Sequence, residues 1–134
     1  MQPKKFNIDF YADTSDINLM LKYYNQKIVK GFTTNPTIMR KSEIINYEKF
    51  ARTVLELITD SPVSFEVFSD DFDEMEKQAL TISSWGKNVN IKIPITNTRR
   101  IFSTKLIKKL TAQKIKINIT AVFTIRQIET ILDY

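Results

Sequence analysis

The chain has 134 residues with 4 Pro, 2 Gly and neither Cys nor His, which excludes a disulfide framework, a Cys/His zinc site, a thiol nucleophile and a histidine base. Its 43% hydrophobic and 26% charged content is that of a soluble globular chain, and no apolar run approaches the ~18 residues a membrane span needs. An excess of 20 basic over 15 acidic side chains gives +5, which favours anionic partners such as sugar phosphates or nucleic acid without choosing between them.

The amino end, Met1-Gln2-Pro3-Lys4-Lys5, leads into a strand-like segment without the ~7–15 apolar residues of a signal peptide, so a cytoplasmic location is expected. Periodicity then predicts strands and helices in strict alternation. The first strand runs Phe6 to Asp13, and Ile17, Met20, Leu21 and Tyr24 follow at the spacing of an amphipathic helix. A second strand, Lys27 to Thr34, ends at Asn35-Pro36, where proline stops ladder pairing. After a connection, Tyr47, Phe50, Ala51, Val54, Leu55 and Ile58 form the clearest apolar stripe. The third strand is Pro62 to Ser69, and Asp71-Phe72-Asp73-Glu74 reads as a capping box opening a helix to about Trp85. Strand four is Asn88 to Pro94, Phe102, Leu106, Ile107 and Leu110 mark a helix, strand five is Ile115 to Val122, and Thr124-Ile125-Arg126-Gln127 starts a last helix. No linker or composition break divides residues 1–134, so one domain is expected.

Alternation of this kind implies parallel strands with right-handed crossovers, either an open doubly wound sheet or a barrel. The strand faces discriminate between them. Val89, Ile91, Ile93 and Ile95 share one face of strand four, opposite Asn88, Asn90, Lys92 and Pro94, and strand three sets Val63, Phe65 and Val67 against Ser64, Glu66 and Phe68. Strand one sets Ile8, Phe10 and Ala12 against Asn7, Asp9, Tyr11 and Asp13, and strand five sets Ile117, Ile119 and Ala121 against Asn118, Thr120 and Val122. An open parallel sheet, covered on both sides, reads apolar on both faces. One greasy and one polar face instead predict an α/β barrel of the TIM (β/α)8 type with a polar site near the carboxyl ends of its strands. Asp13, Asn35, Glu66, Lys92 and Thr120 recur about 27 residues apart, so eight units need roughly 215 residues and this chain supplies about five.

Lys92 is the first candidate for chemistry. An ammonium in mid-strand between Ile91 and Ile93 is poorly solvated, and burial disfavours its charged form. A neutral lysine attacks ketones and aldehydes to form a Schiff base. A strand lysine that reaches solvent at the rim, or pairs with Glu66 or Asp13, is the plainer alternative. Asp13, Glu66 and Thr120 gain meaning as a set: two carboxylates plus a hydroxyl holding a water supply the proton carriers that Schiff-base chemistry needs. Taken singly, Asp13 reads as a helix cap, Glu66 as an ion-pair partner, Thr120 as ordinary strand propensity and Asn35 as a turn residue.

Gly31-Phe32-Thr33-Thr34-Asn35-Pro36-Thr37-Ile38 resembles the strand-two signature of the transaldolases and fructose-6-phosphate aldolases, and Ile91-Lys92-Ile93-Pro94-Ile95-Thr96 resembles their lysine strand. Asp13-Thr14-Ser15-Asp16 and Asn118-Ile119-Thr120-Ala121-Val122-Phe123 match in the same order. The resemblance implies a class I aldol enzyme of the pentose phosphate pathway that transfers a dihydroxyacetone unit between sugar phosphates. Lys92 would be the Schiff-base nucleophile and Asp13 the acid/base, Glu66 and Thr120 would hold a water, and Asn35 and Thr33 would bind the substrate. No cofactor or metal is implied. Glu66 favours transaldolase over fructose-6-phosphate aldolase, whose members tend to carry Gln there. Phe32 and Thr98-Arg99-Arg100 depart from the family's pattern, and the arginines that clamp phosphate in the family lie beyond its fifth strand. Arg99 and Arg100 read as a solvated face.

Two other classes remain open at this level. An inactive scaffold of the same fold is one, with a homo-oligomer or a companion chain completing the barrel. The basic run Lys105, Lys108, Lys109, Lys114 and Lys116 suggests nucleic acid, but no aromatic stacking motif interleaves with it, so no specific nucleic-acid partner is expected.

Overall fold

The computed structural model describes residues 7–132. Within them, β1 (Tyr11–Asp13), α1 (Ile17–Asn25), β2 (Gly31–Thr33), α2 (Pro36–Lys41), α3 (Tyr47–Leu57), β3 (Val63–Glu66), α4 (Phe72–Ser83), β4 (Val89–Pro94), α5 (Thr104–Ala112), β5 (Ile117–Thr120) and α6 (Ile125–Glu129) follow one another. The strands form one parallel sheet in sequence order, a half-barrel of TIM type with its helices in alternation. Among the described residues, β1 pairs only with β2 and β5 only with β4.

The strands are shorter than the hydrophobic pattern suggests, for backbone reasons. Lys27, expected to open strand two, has φ 53° and closes the turn after α1, while Ala121, expected within strand five, has φ 58° and ends it. Phe6, the expected start of strand one, lies outside the described residues, as do Asp133 and Tyr134. The segment after Asn35, read as a connection, is a helix. Asn35 Oδ1 accepts from Ile38 N–H at 2.9 Å, and Pro36 occupies the first turn, where its missing N–H takes no hydrogen bond from the helix itself. Asp71 caps α4, accepting from Asp73 and Glu74 N–H at 3.0 and 3.1 Å. The reciprocal half of the expected box is not formed, because Glu74 pairs with Lys77 at 2.6 Å and the Asp71 N–H bonds Ser69 Oγ. The complete capping box belongs to Thr124 and Gln127 at α6.

The outward faces of the central strands make the core. Val63, Phe65, Ile91 and Ile93 are fully buried, in one cluster with Val54, Met75, Ala79, Ile107 and Leu110. Burial of each large side chain stabilises the fold by about 1.5–3 kcal/mol. Ahead of β1, in the segment expected to belong to strand one, the outward pattern is not filled: Ile8 is 64% and Phe10 48% exposed. Phe68, expected on the polar face with Glu66, instead meets the Tyr47 ring edge-on at 4.7 Å, because alternation stops where β3 ends.

Gly31 is where the half-barrel tolerates least. A Cβ there would lie 2.6 Å from Pro62 O and 2.7 Å from Tyr11 Cε1, and Pro62 O already accepts from Phe32 N–H at 2.9 Å. The Gly31→Ala chain is expected to be less stable by about 1–3 kcal/mol, since relief of the clash moves the β2–β3 ladder. Urea denaturation at unchanged m-value checks this, and an equal midpoint would refute it.

Candidate active site

Parallel register stacks the polar residues of neighbouring strands in rows on the face away from the core. Asp13 pairs with Thr33, Thr33 with Ser64 and Ser64 with Asn90, forming the lower row. Glu66, Lys92 and Asn118 form the row above it, toward the carboxyl ends, and Pro94 and Thr120 the third. Five of the expected residues converge in two contact groups, Glu66 and Lys92 at β3–β4 and Asp13, Thr33 and Asn35 at β1–β2.

At β3–β4, Lys92 is 9% exposed, with Nζ 3.6 Å from Glu66 Oε2 and donating to the Thr34 carbonyl at 3.1 Å. Burial pushes the Glu66 carboxyl above its ordinary value. The Lys92 ammonium opposes that rise and the nearby Asp13 carboxylate adds to it. Glu66 thus has Lys92 on one side and the Asp13 carboxylate near it on another.

At β1–β2, Asp13 is a receiver rather than a cap. Its oxygens accept from Thr33 Oγ1 at 2.7 Å and Asn35 Nδ2 at 3.3 Å, while Asp16 performs the capping of α1. Because Asn35 Oδ1 is committed to the start of α2, its amide nitrogen is left pointing at Asp13. Thr120 shares the polar face, one row beyond Asn118.

Three groups escaped the sequence reading as site residues. Thr34 is fully buried, and its carbonyl receives the amine. Asn118 Nδ2 donates to Ser64 Oγ at 3.1 Å, crossing β4 below Lys92, and Ser64 is 1% exposed. Strand alternation put Ser64 and Asn118 on the right face, but only the register shows that they meet. Arg99 and Arg100 are exposed on a hairpin closed by the Thr96–Phe102 bridge and tied down by Thr98 to Asp70 at 2.7 and 2.6 Å. Of the basic run, Lys109 is paired with Glu76 at 2.8 Å. No trio of metal-ligating side chains occurs, and no helix is long and apolar enough to cross a membrane, among the described residues.

Compared with known proteins, residues 10–134 match the pattern of the family described as Transaldolase/Fructose-6-phosphate aldolase. The chain belongs to that family. The transaldolase-family relatives include a probable transaldolase of Dehalococcoides mccartyi, 33% identical over 87% of this chain and 52% of its own length. Others are probable transaldolase 2 of Listeria monocytogenes, 35% identical over 88% of the chain and 51% of its own, and a probable transaldolase of Geobacter metallireducens, 36% identical over 88% and 52%. The chain spans about half the length of the curated relatives it matches. An aldol-type enzyme family and a buried amine beside a carboxylate are thus found together.

Proposed function

We propose that the chain carries the nucleophilic half of a transaldolase site, which transfers a dihydroxyacetone unit between sugar phosphates through a Schiff base on Lys92. The observation that carries this reading is the Lys92 amine, held at 3.6 Å from Glu66 and nearly removed from solvent on the polar face of β4. Nζ attacks the C2 ketone of a ketose phosphate, and loss of water gives an imine. Asp13 takes the proton of the C4 hydroxyl as the C3–C4 bond breaks; the aldose leaves and the electron pair stays on the three-carbon unit as an enamine. The enamine adds to the aldehyde of a second aldose phosphate, and hydrolysis frees the amine.

Glu66 and Thr120 hold the water that moves protons between these steps, with Glu66 suited by its raised carboxyl. Asn35 and Thr33 hold Asp13 and offer donors to the dihydroxyacetone hydroxyls. The net charge of +5 favours the phosphorylated substrates. Borohydride reduction in the presence of fructose 6-phosphate, followed by peptide mass spectrometry, tests the reading. A reduced sugar or three-carbon adduct is expected on Lys92 in preference to the surface lysines. Folded protein without an adduct there would leave an inactive scaffold of the family fold.

A further inference from the structure

The β2–β3 ladder has a missing rung at the site. Phe32 N–H donates to Pro62 O at 2.9 Å and Thr34 N–H to Ser64 O at 3.0 Å, so the next donor in this series is residue 36 and the next acceptor is Glu66 O. Residue 36 is proline and has no N–H. The Glu66 carbonyl is instead met from outside the sheet, by the Tyr47 hydroxyl at 3.2 Å.

Tyr47 is the first residue of α3, and its ring is fixed edge-on by Phe65 at 5.9 Å, Phe68 at 4.7 Å and Trp85 at 5.4 Å. The Thr34 side chain adjoins the same phenol. Thr34 and Glu66 both contact the Lys92 amine, one through its carbonyl and one through its carboxylate. The phenol therefore lies beside Thr34 and bonds the Glu66 carbonyl, next to two residues that meet the amine. Burial pushes the phenol's proton affinity up, so it remains a donor across the working pH range.

We propose that Tyr47 is a positioning residue: its hydroxyl replaces the ladder donor lost at Pro36 and holds the Glu66 backbone so that the carboxylate faces Lys92 from β3, with Asp13 facing it from β1. The role in turnover rests on the Schiff-base reading above; the role in fixing Glu66 does not. Tyr47→Phe keeps the ring contacts and removes only the donor. Adding Pro36→Ala to that variant returns an N–H to the ladder, at a first-turn helix position where Ala is well tolerated.

The test is carried out on the full 134-residue chain. It follows the Glu66 carboxyl titration by carbon-13 NMR and the pH profile of Lys92 trapping with fructose 6-phosphate and borohydride. In Tyr47→Phe we expect the Glu66 midpoint to move and trapping at the optimum to slow by roughly 10-fold. Both should return toward wild type in Pro36→Ala/Tyr47→Phe. An unchanged Glu66 titration in folded Tyr47→Phe overturns the proposal, as does a double variant that rescues nothing. If Tyr47→Phe unfolds and the double variant folds, the ladder account is upheld; if both unfold, the phenol is a folding contact and the positioning role is lost. If the wild type traps nothing, the Schiff-base reading falls, and the Glu66 titration still decides the role of Tyr47.

Discussion

The Lys92→Met chain is expected to lose the borohydride-reduced adduct on the β4 peptide completely while keeping its fold. The nucleophile is gone, and no second amine is described on that face of β3, β4 or β5. Met follows the same path as the lysine stem between neighbouring strands, and the outward anchors Ile91 and Ile93, both fully buried, are untouched. What changes is Glu66. Its carboxyl is already raised by burial against the pull of Lys92, so losing the ammonium raises it further and lets it take up a proton. Cutting a buried ion pair on one side costs ~3–5 kcal/mol when the survivor stays charged, and protonation of Glu66 holds the loss below that. Circular dichroism with peptide mapping of the adduct checks both statements. A folded variant that still traps sugar at the wild-type rate would show that the amine is a structural ion-pair partner and that the chemistry lies elsewhere.

The architecture was legible because the strands are half-buried. Ile91 and Ile93 on one side and Asn90 and Lys92 on the other announce a sheet with helices on one face only, which is the difference between a barrel wall and an open doubly wound sheet. What the pattern missed was local. The α2 helix has 6 residues and no apolar stripe, so it rests on its start signal, Asn35 followed by proline, which reads equally well as a turn. The strand ends were overrun because Lys27 and Ala121 adopt left-handed backbone without being Gly or Asn, which composition does not signal.

The candidate site was legible as a shared polar face but not in its contacts. Side-chain period puts Asp13, Glu66, Lys92, Asn118 and Thr120 on one face, yet their grouping depends on the slant of the parallel register, which places Lys92 beside Glu66 and Asn118 and one row above Asp13. Tyr47 was hidden for a different reason. In a helix it counts as one more apolar stripe residue, and its polar end matters only because Pro36, on another element, leaves a carbonyl to be met. Such a pairing joins a helix to a strand through the absence of a hydrogen, and no periodicity encodes it.

Glu66→Gln is expected to change how stability depends on pH. A carboxyl raised in the folded state binds its proton more tightly there than in the unfolded chain. Its contribution is therefore fully present below the ordinary glutamate value. It is lost as pH climbs from that value through the raised folded one, because the unfolded chain releases its proton first. The wild type should thus lose stability relative to Glu66→Gln across the weakly acidic range and run parallel to it above. Paired urea denaturations of the two chains from acid to neutral pH read this difference directly. A difference that grows in favour of the wild type with rising pH would mean that the Lys92 attraction, at 3.6 Å, outweighs burial and holds Glu66 ionised. The same variant separates stability from chemistry. The carboxamide can still bind a water but cannot exchange a proton with it, so Lys92 remains trappable while the trapping rate falls by around 10²-fold, the lower end of what a placed acid/base contributes. A rate equal to wild type would remove Glu66 from the proton path and leave it as the neighbour that orients the amine.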